Sequence, residues 1–195
     1  MAMRGLFNVQ NALAAIAICF ALGIPEESIR SGILSTSVAG RMEVFKSGSR
    51  DLTVIVDYAH NRMSFEALFE STIKEYPGKK ISIVCGCPGY KALGRRKDLG
   101  EIAGKYSSMA YITEEDPGEE PVVKICEEIA EHFKKQNCPY EIIPDRGEAI
   151  KKSIEDAPEG TVILVTAKGR ETRQKRGLEY IETASDVDFV EKYLK

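Results

Sequence analysis

Short apolar segments alternate along most of the chain with longer segments of mixed polarity. The segments TVIVDY, ISIVCG and TVILVT are β-branched and apolar almost throughout, which is typical of strands covered on both faces of a sheet. Strands that alternate with helices form parallel βαβ units. The pattern predicts strands at 41–46, 52–57, 80–85, 108–113, 140–143 and 161–166, and helices at 63–76, 96–106, 119–136, 145–156 and 185–194.

The first forty residues follow a different pattern. Residues 7–23 are rich in alanine and other apolar residues and predict one helix, and residues 25–34 predict a second, shorter one. Two such helices bury too little surface to form a core of their own. We therefore predict a helical segment at 1–40, followed at 41–195 by an α/β domain with a Rossmann-like, mostly parallel sheet flanked by helices.

Composition narrows the class of protein. The chain has 195 residues, 43% of them hydrophobic and 29% charged, as in ordinary globular proteins. A net charge of −3 gives no electrostatic basis for binding nucleic acid or an anionic membrane. The most apolar stretch, 12–24, is too short to cross a bilayer, and the start lacks a signal-peptide pattern. We expect a cytoplasmic protein whose five scattered cysteines are reduced and mostly buried.

Polar residues follow the predicted strand 52–57 in the stretch VDYAHN. The carboxyl ends of strands are where open α/β sheets bind ligands. Asp57 could accept hydrogen bonds from sugar hydroxyls, and His60 could donate one to a base or phosphate. Arg41, at the joint between the two predicted parts, could bind phosphate or ribose. The alternatives are a turn or cap aspartate, a histidine satisfied by backbone, and a surface arginine.

Two loops of opposite charge follow the next strands. Residues 86–97 are rich in glycine and carry four cations, Lys91 among them, which suits an anion site or simply a solvated loop. Residues 113–121 carry five carboxylates, including Glu115 and Asp116. Crowded carboxylates repel each other, so a bound amine, or less readily Mg²⁺, would stabilise them. The alternative is an exposed acidic turn before a helix.

A third charged cluster, Lys168-Gly169-Arg170-Glu171, follows the last core strand. The carboxyl ends of parallel strands meet at one edge of a sheet, so these clusters and VDYAHN should lie together. The sequence therefore predicts one polar site of mixed charge at this edge.

These motifs, in this order, resemble the C-terminal part of the Mur ligases, most closely the MurE type. The matching stretches are FNVQNALAAIA, GRME, VDYAHN, the loop at 86–96, DP with EEP, PDRGEAI, and AKGRE with Gln174. The resemblance implies that residues 1–40 are the last helices of a central ATP-binding domain and that 41–195 is the C-terminal domain. No G-x-x-x-x-G-K-[ST] occurs in the sequence, so we expect this chain alone to lack ligase activity.

The resemblance also implies roles for individual residues. Asn11 would contact adenine, Arg41 phosphate or ribose, and Asp57 the ribose hydroxyls. His60 would line the same nucleotide pocket. ATP and Mg²⁺ would be the cofactors, with most of the magnesium site in the upstream domain.

At the amino-acid end, the resemblance implies that Lys91 binds the α-carboxylate and that Glu171 takes the substrate's amino group. Relatives that add diaminopimelate carry DNPR, whereas this chain has Glu115-Asp116-Pro117-Gly118 at that place. A distal pocket that loses an arginine and keeps Glu115 and Asp116 favours L-lysine or ornithine over meso-diaminopimelate.

The chain departs from the family pattern at two points, with Arg62 after VDYAHN instead of proline and Arg170 where histidine is common. The leading hypothesis is a monomeric part of a ligase that adds an amino acid to UDP-N-acetylmuramoyl-L-alanyl-D-glutamate through an acyl phosphate. The alternatives are a related amide ligase, such as cyanophycin synthetase or folylpolyglutamate synthase, and a binding module with this fold but no catalysis.

Overall fold

The computed structural model describes Gly5 and residues 7–195. Two helices come first, α1 (Phe7–Ala21) and α2 (Glu26–Ser35). The strands of the main sheet are β1 (Glu43–Lys46), β2 (Leu52–Asp57), β3 (Lys80–Cys85), β4 (Met109–Ile112), β5 (Tyr140–Ile142) and β6 (Thr161–Thr166). The remaining elements are α3 (Arg62–Glu75), α4 (Gly94–Tyr106), α5 (Val122–Lys135), α6 (Arg146–Glu155), the hairpin β7 (Arg173–Arg176) and β8 (Glu179–Glu182), and α7 (Asp186–Tyr193).

The sheet has six strands in the order β1-β2-β6-β3-β4-β5. All neighbouring pairs are parallel except β1 with β2, which is antiparallel. Strand β6 lies between β2 and β3, so Ile163 pairs with Val54 on one side and Ser82 on the other. The predicted α/β fold with a mostly parallel sheet is confirmed, and each predicted strand and helix lies within a few residues of its observed position.

Helices cover both faces of the sheet because alternate side chains of each strand point to opposite faces. On one face, Ile55 belongs to a core with residues of α3, α4 and α5. On the other, Val54 and Val56 belong to a core with residues of α6 and α7. All six residues of β2 and of β6 are buried, as the continuous apolar pattern of these segments indicated.

The hairpin β7–β8 was not predicted. Its strands read RQKR and EYIE, and the second is exposed throughout. The first two helices behave differently from the rest of the chain, because α1 exposes most of its apolar residues and α2 has no buried residue. The assignment of residues 1–40 to a separate domain stays a prediction.

The cysteine prediction is confirmed, since all five are free and four of them are buried. Burial raises the pKa of the Cys87 thiol to about 12 and that of Cys126 to about 12, so both thiols are protonated and unreactive. Across Gly5 and 7–195, no helix combines the length and the apolarity needed to cross a membrane.

Candidate functional site

Asp57 ends β2 and fixes the joint between the α2 segment and the sheet. Its Oδ2 accepts a hydrogen bond from the Met42 backbone N–H at 2.8 Å, and its Oδ1 accepts one from the Ala59 N–H at 2.8 Å. Burial raises the pKa of Asp57, while these two backbone bonds act in the opposite direction. The carboxylate therefore holds Met42, a non-glycine residue at φ 48°, in its left-handed conformation.

A cavity of about 520 Å³ lies beside this joint, and we call it the joint cavity. It is lined by Asn8, Gln10, Asn11, Val38, Arg41, Asp57, Ser64 and Ala67. The structure thus brings together three of the four residues predicted to bind nucleotide. Its volume lies in the range of small-molecule sites, and its amide, guanidinium and carboxylate groups match the hydrogen-bonding needs of a nucleotide.

Asn8 is a residue of this cavity that sequence reasoning missed. Its Oδ1 accepts a hydrogen bond at 3.0 Å from Nδ2 of Asn11, one helical turn further along α1. Residues three apart lie on the same face of a helix. The spacing N-x-x-N in FNVQN was therefore the signal that could have found it.

His60 lies on the wall of a different cavity from the one predicted. Its Nδ1 is 2.8 Å from the backbone oxygen of Tyr58, and the two rings pack edge to face with centroids 5.3 Å apart. The structure therefore places His60 outside the lining of the joint cavity. A contact between His60 and nucleotide stays a prediction.

A second cavity, of about 400 Å³, lies where the loops after β3, β4 and β6 meet the β7–β8 hairpin, and we call it the loop cavity. Its lining residues are Tyr58, His60, Pro88, Gly89, Tyr90, Lys91, Arg95, Glu115, Asp116, Pro117, Gly118, Glu119, Ala167, Lys175, Gly177, Leu178 and Tyr180. Three of the four residues predicted to bind the amino acid, Lys91, Glu115 and Asp116, are among them.

Two carboxylates of the 113–121 turn, Glu114 and Glu120, are buried and paired with the protein's own arginines. Glu114 bonds Arg176 at 2.6 Å, and the side chain of Glu114 is 4% exposed. Arg96 bonds Glu120 at 2.6 Å and holds the pKa of that carboxyl down to about 2. The alternative of an exposed acidic turn is therefore wrong.

Glu115 differs from Glu114 and Glu120, because only one of its oxygens accepts a hydrogen bond. Oε1 accepts a hydrogen bond from Arg95 at 3.2 Å, whereas Oε2 is buried and has no hydrogen-bond partner among the residues that the structure describes. Burial raises the pKa of Glu115 to about 7 against the opposing effect of Arg95 and Arg146. A buried acceptor left unpaired costs free energy, so a cationic donor entering the cavity would gain a ready partner.

Asp116 ties the acidic turn to the segment that follows β6. Its Oδ1 accepts hydrogen bonds from Nζ of Lys168 at 2.9 Å and from the Lys175 backbone N–H at 2.8 Å. Its own N–H donates to Oε1 of Gln174 at 2.9 Å. The acidic turn and the Lys168–Glu171 segment therefore meet at the same edge of the sheet, where β4 and β6 end. This confirms the prediction that these charged clusters lie together.

Two glycines of the 86–97 loop, Gly86 and Gly89, pack closely against the acidic turn. A Cβ on Gly86 would lie 2.4 Å from the Thr113 oxygen, and one on Gly89 would lie 1.7 Å from the Pro117 oxygen. These glycines let two backbones approach closely, which accounts for both of them without a phosphate cradle. Lys91, two residues beyond Gly89, is exposed at the rim of the loop cavity and has no ion-pair partner within Gly5 and 7–195.

Glu171 does not line the loop cavity; it lines a separate cavity of about 550 Å³ together with Arg173 and Tyr180. Its Oε1 accepts a hydrogen bond from the Tyr58 hydroxyl at 2.7 Å, and its Oε2 pairs with Nζ of Lys168 at 2.7 Å. Both oxygens are therefore engaged. Its predicted contact with a substrate amine stays a prediction, and it requires one of these partners to yield.

Arg170, the second departure from the family pattern, has a structural role. Its guanidinium donates two hydrogen bonds of 2.7 Å to the carboxylate of Glu43, and Glu43 also accepts from the Gly40 N–H. Gly40 has φ +73°, and a Cβ there would lie 3.3 Å from the Arg170 nitrogen. The joint at residue 40 is thus closely packed on the turn after β6.

A metal site is not evident in this part of the protein. Among Gly5 and 7–195, no group of three or more histidine, cysteine, aspartate or glutamate side chains is placed to hold a metal ion. The residues described here therefore do not fit a magnesium site of their own.

Comparison with known proteins identifies the family. Residues 40–169 match the family model described as Mur ligase, glutamate ligase domain. The chain belongs to the Mur ligase family. The matched range of this Mur ligase chain runs from the joint glycine to the turn after β6, and so includes the acidic turn and the glycine-rich loop.

Curated proteins with two different named amino acids are similar to this chain. The chain is 40% identical over 170 residues to the UDP-N-acetylmuramoyl-L-alanyl-D-glutamate–2,6-diaminopimelate ligase of Caldanaerobacter subterraneus subsp. tengcongensis, which covers 87% of the chain and 35% of that protein. It is 37% identical over 192 residues to the corresponding L-lysine ligase of Streptococcus thermophilus, covering 97% of the chain and 39% of that protein. The chain thus spans a little over a third of the length of these relatives.

Solved structures agree on the fold. A UDP-N-acetylmuramoyl-L-alanyl-D-glutamate–2,6-diaminopimelate ligase superposes with a TM-score of 0.73 at 23% identity, over 98% of this chain and 39% of the other. The folylpolyglutamate synthase of Thermotoga maritima superposes with a TM-score of 0.63 at 28% identity, over 86% of this chain and 37% of the other.

Proposed function

We propose that this Mur ligase chain supplies the amino-acid site and one side of the nucleotide site of an ATP-dependent amide ligase in peptidoglycan synthesis. The acceptor would be UDP-N-acetylmuramoyl-L-alanyl-D-glutamate, the compound in the names of both relatives. The observation that carries the proposal is the presence of two adjacent cavities at the joint and at the strand ends. One is lined by Asn11, Arg41 and Asp57, and the other by Lys91 and Glu115.

In the proposed reaction, ATP phosphorylates the terminal carboxylate of the acceptor, and the α-amine of the amino acid attacks the resulting acyl phosphate. The new C–N bond forms as the bond from carbon to the phosphate oxygen breaks, and the amine loses a proton. Such catalysis depends mainly on alignment and charge neutralisation. This chain would contribute by holding the amine and its carboxylate in place, with Lys91 at the rim of the loop cavity binding the α-carboxylate.

We propose L-lysine, with ornithine next, as the amino acid. Relatives of both kinds are similarly close, so the choice depends on the cavity. The unpaired oxygen of Glu115 and the absence of a side chain at Gly118 favour a distal ammonium. A distal carboxylate would instead lie beside Glu115 and Asp116, where like charges repel.

The test is an amino-acid panel with the complete gene product. Phosphate release would be measured with ATP and UDP-N-acetylmuramoyl-L-alanyl-D-glutamate in the presence of L-lysine, L-ornithine, meso-diaminopimelate or L-glutamate. We expect the highest kcat/KM with L-lysine. Preference for diaminopimelate would contradict the pocket assignment, and no turnover with any of the four would contradict the ligase proposal itself.

Gly118 gives a sharper test of specificity. Gly118→Arg should restore a cation and raise the diaminopimelate-to-lysine ratio of kcat/KM. Gly118 has φ +59°, where an L-residue costs about 1 kcal/mol or more, so Gly118→Ala is the matched control for backbone strain. An equal shift in both variants would show that strain, and not charge, changes the preference.

Folylpolyglutamate synthase is the second candidate, because a member of that group superposes at 28% identity. Its name implies glutamate as the incoming amino acid, whose distal carboxylate the Glu115–Asp116 side of the cavity would repel. Activity with L-glutamate and a folate acceptor, and none with the UDP-linked acceptor, would favour this candidate. The non-catalytic alternative predicts ligand binding without phosphate release.

A further inference from the structure

Tyr58 lies between the two cavities and contacts groups that belong to each. It follows Asp57, which lines the joint cavity, while Tyr58 itself lines the loop cavity. Sequence reasoning assigned it no role, although it is part of VDYAHN. Its ring contacts Arg41 of the joint cavity, and its hydroxyl bonds Glu171, on the side of the loop cavity.

The ring of Tyr58 contacts the joint cavity through Arg41. The guanidinium carbon of Arg41 lies 4.8 Å from the ring centroid, within the range of a cation–π contact. Arg41 is exposed, and its charge also acts on Asp57, where it opposes the rise in pKa caused by burial. An anion bound in the joint cavity would fix the guanidinium further.

The hydroxyl of Tyr58 leads to the loop cavity through a continuous set of short contacts. It donates to Oε1 of Glu171 at 2.7 Å, and Glu171 pairs with Lys168 at 2.7 Å. Lys168, whose side chain is 4% exposed, then bonds Asp116 at 2.9 Å. The Glu171 carboxylate raises the pKa of Tyr58 to about 12, so the hydroxyl keeps the proton that it donates.

We propose that Tyr58 is a positioning residue that couples the two cavities, so that a nucleotide bound against Arg41 raises the affinity of the loop cavity for the amino acid. The proposal rests on the proposed function. A ligand that fixes Arg41 over the ring also fixes the direction of the hydroxyl, and through it Glu171, Lys168 and finally Asp116, which lines the loop cavity. The second ligand then binds to groups that are already ordered, which makes the coupling positive.

The coupling has a measurable size. An exposed cation–π contact corresponds to a factor of about 2 to 5 in an equilibrium constant. We therefore expect a saturating non-hydrolysable ATP analogue to lower the Kd for L-lysine by about 2- to 5-fold. Because coupling between ligands is reciprocal, saturating L-lysine should lower the Kd of the analogue by the same factor.

The experiment is a set of calorimetric titrations of the complete gene product with each ligand, alone and in the presence of the other. Tyr58→Phe keeps the ring over Arg41 and removes the hydroxyl, whereas Tyr58→Leu removes both contacts. Tyr111→Phe is the matched control, since its hydroxyl is 3.4 Å from Asp156 and it lines neither cavity.

We expect the coupling factor to fall towards 1 in both Tyr58 variants and to keep its wild-type value in Tyr111→Phe. Each Tyr58 variant should still bind both ligands singly, which a variant that failed to fold would not do. Wild-type protein that binds both ligands with a coupling factor of 1, or Tyr58 variants that keep the full factor, would overturn this inference and leave the proposed function standing. If the wild type bound neither ligand, the proposed function would fall, and this inference with it.

Discussion

Gly89→Ala tests whether close backbone packing holds the glycine-rich loop on the acidic turn. The added Cβ would lie 1.7 Å from the Pro117 oxygen, 2.7 Å from the Pro117 carbonyl carbon and 3.0 Å from Cβ of Glu120. Two of these contacts are to backbone, which cannot rotate away. The loop would have to move outward and would lose the bond from the Gly89 N–H to the Asp116 oxygen, now 3.2 Å.

The cost of this substitution follows from two effects. Overpacking of a close contact costs about 1–3 kcal/mol, and the lost hydrogen bond costs about 1 kcal/mol more. We expect Gly89→Ala to lower the free energy of unfolding by about 2–4 kcal/mol, or Tm by about 4–16 °C for a chain of this size. The displaced loop also carries Lys91, so the KM for the amino acid should rise.

Urea unfolding followed by circular dichroism would measure the change, with Gly94→Ala as the matched control. Gly94 begins α4 five residues further along the same loop, and a Cβ there meets nothing within 4 Å. Alanine is a better helix former than glycine, so this control should be neutral or more stable by up to about 1 kcal/mol. An unfolding free energy for Gly89→Ala within about 0.5 kcal/mol of wild type would refute the packing argument.

Three further outcomes follow from the buried charges. The pKa of Glu115 is raised from 4.5 to about 7, so the folded state binds the Glu115 proton more tightly than the unfolded state does. The free energy of unfolding should therefore decline as pH rises from about 4.5 to about 7. Urea titrations across this range should show a weaker decline in Glu115→Gln. L-lysine affinity should rise across the same pH window in wild type, and calorimetry should show a flatter profile in Glu115→Gln. Asp186→Ala leaves Arg146, 5% exposed and bonded to that carboxylate at 2.6 Å, without its ionic partner and should cost about 3–5 kcal/mol in urea unfolding.

The sheet was predictable because its strands carry their own signal. A segment such as Thr161–Thr166 is apolar on both faces, and only a central strand of a covered sheet buries such a segment. The hairpin β7–β8 carries no such pattern, since half of its residues are charged and its second strand is exposed. It is fixed by the acidic turn, some sixty residues earlier in the chain, and local sequence does not encode that contact.

The location of the candidate site was predictable, but the ion pairs within it were not. Charged clusters after successive strands indicated one edge of the sheet, because parallel strands end together. Which cation meets which carboxylate depends on tertiary geometry, as in the pair Glu114–Arg176, separated by 62 residues. His60 shows the same limit, because it lines the loop cavity although it lies three residues after Asp57, which lines the joint cavity.

The hairpin β7–β8 is held on the acidic turn partly by backbone–backbone hydrogen bonds. The Gly118 N–H donates to the Lys175 oxygen at 3.0 Å, and the Gly177 N–H donates to the Gly118 oxygen at 2.7 Å. Leu178 and Tyr180, at and beside its tip, face the loop cavity while largely exposed. Evolution, or a combinatorial library, could therefore replace these residues and reshape one wall of the cavity while the backbone bonds beneath it stay in place.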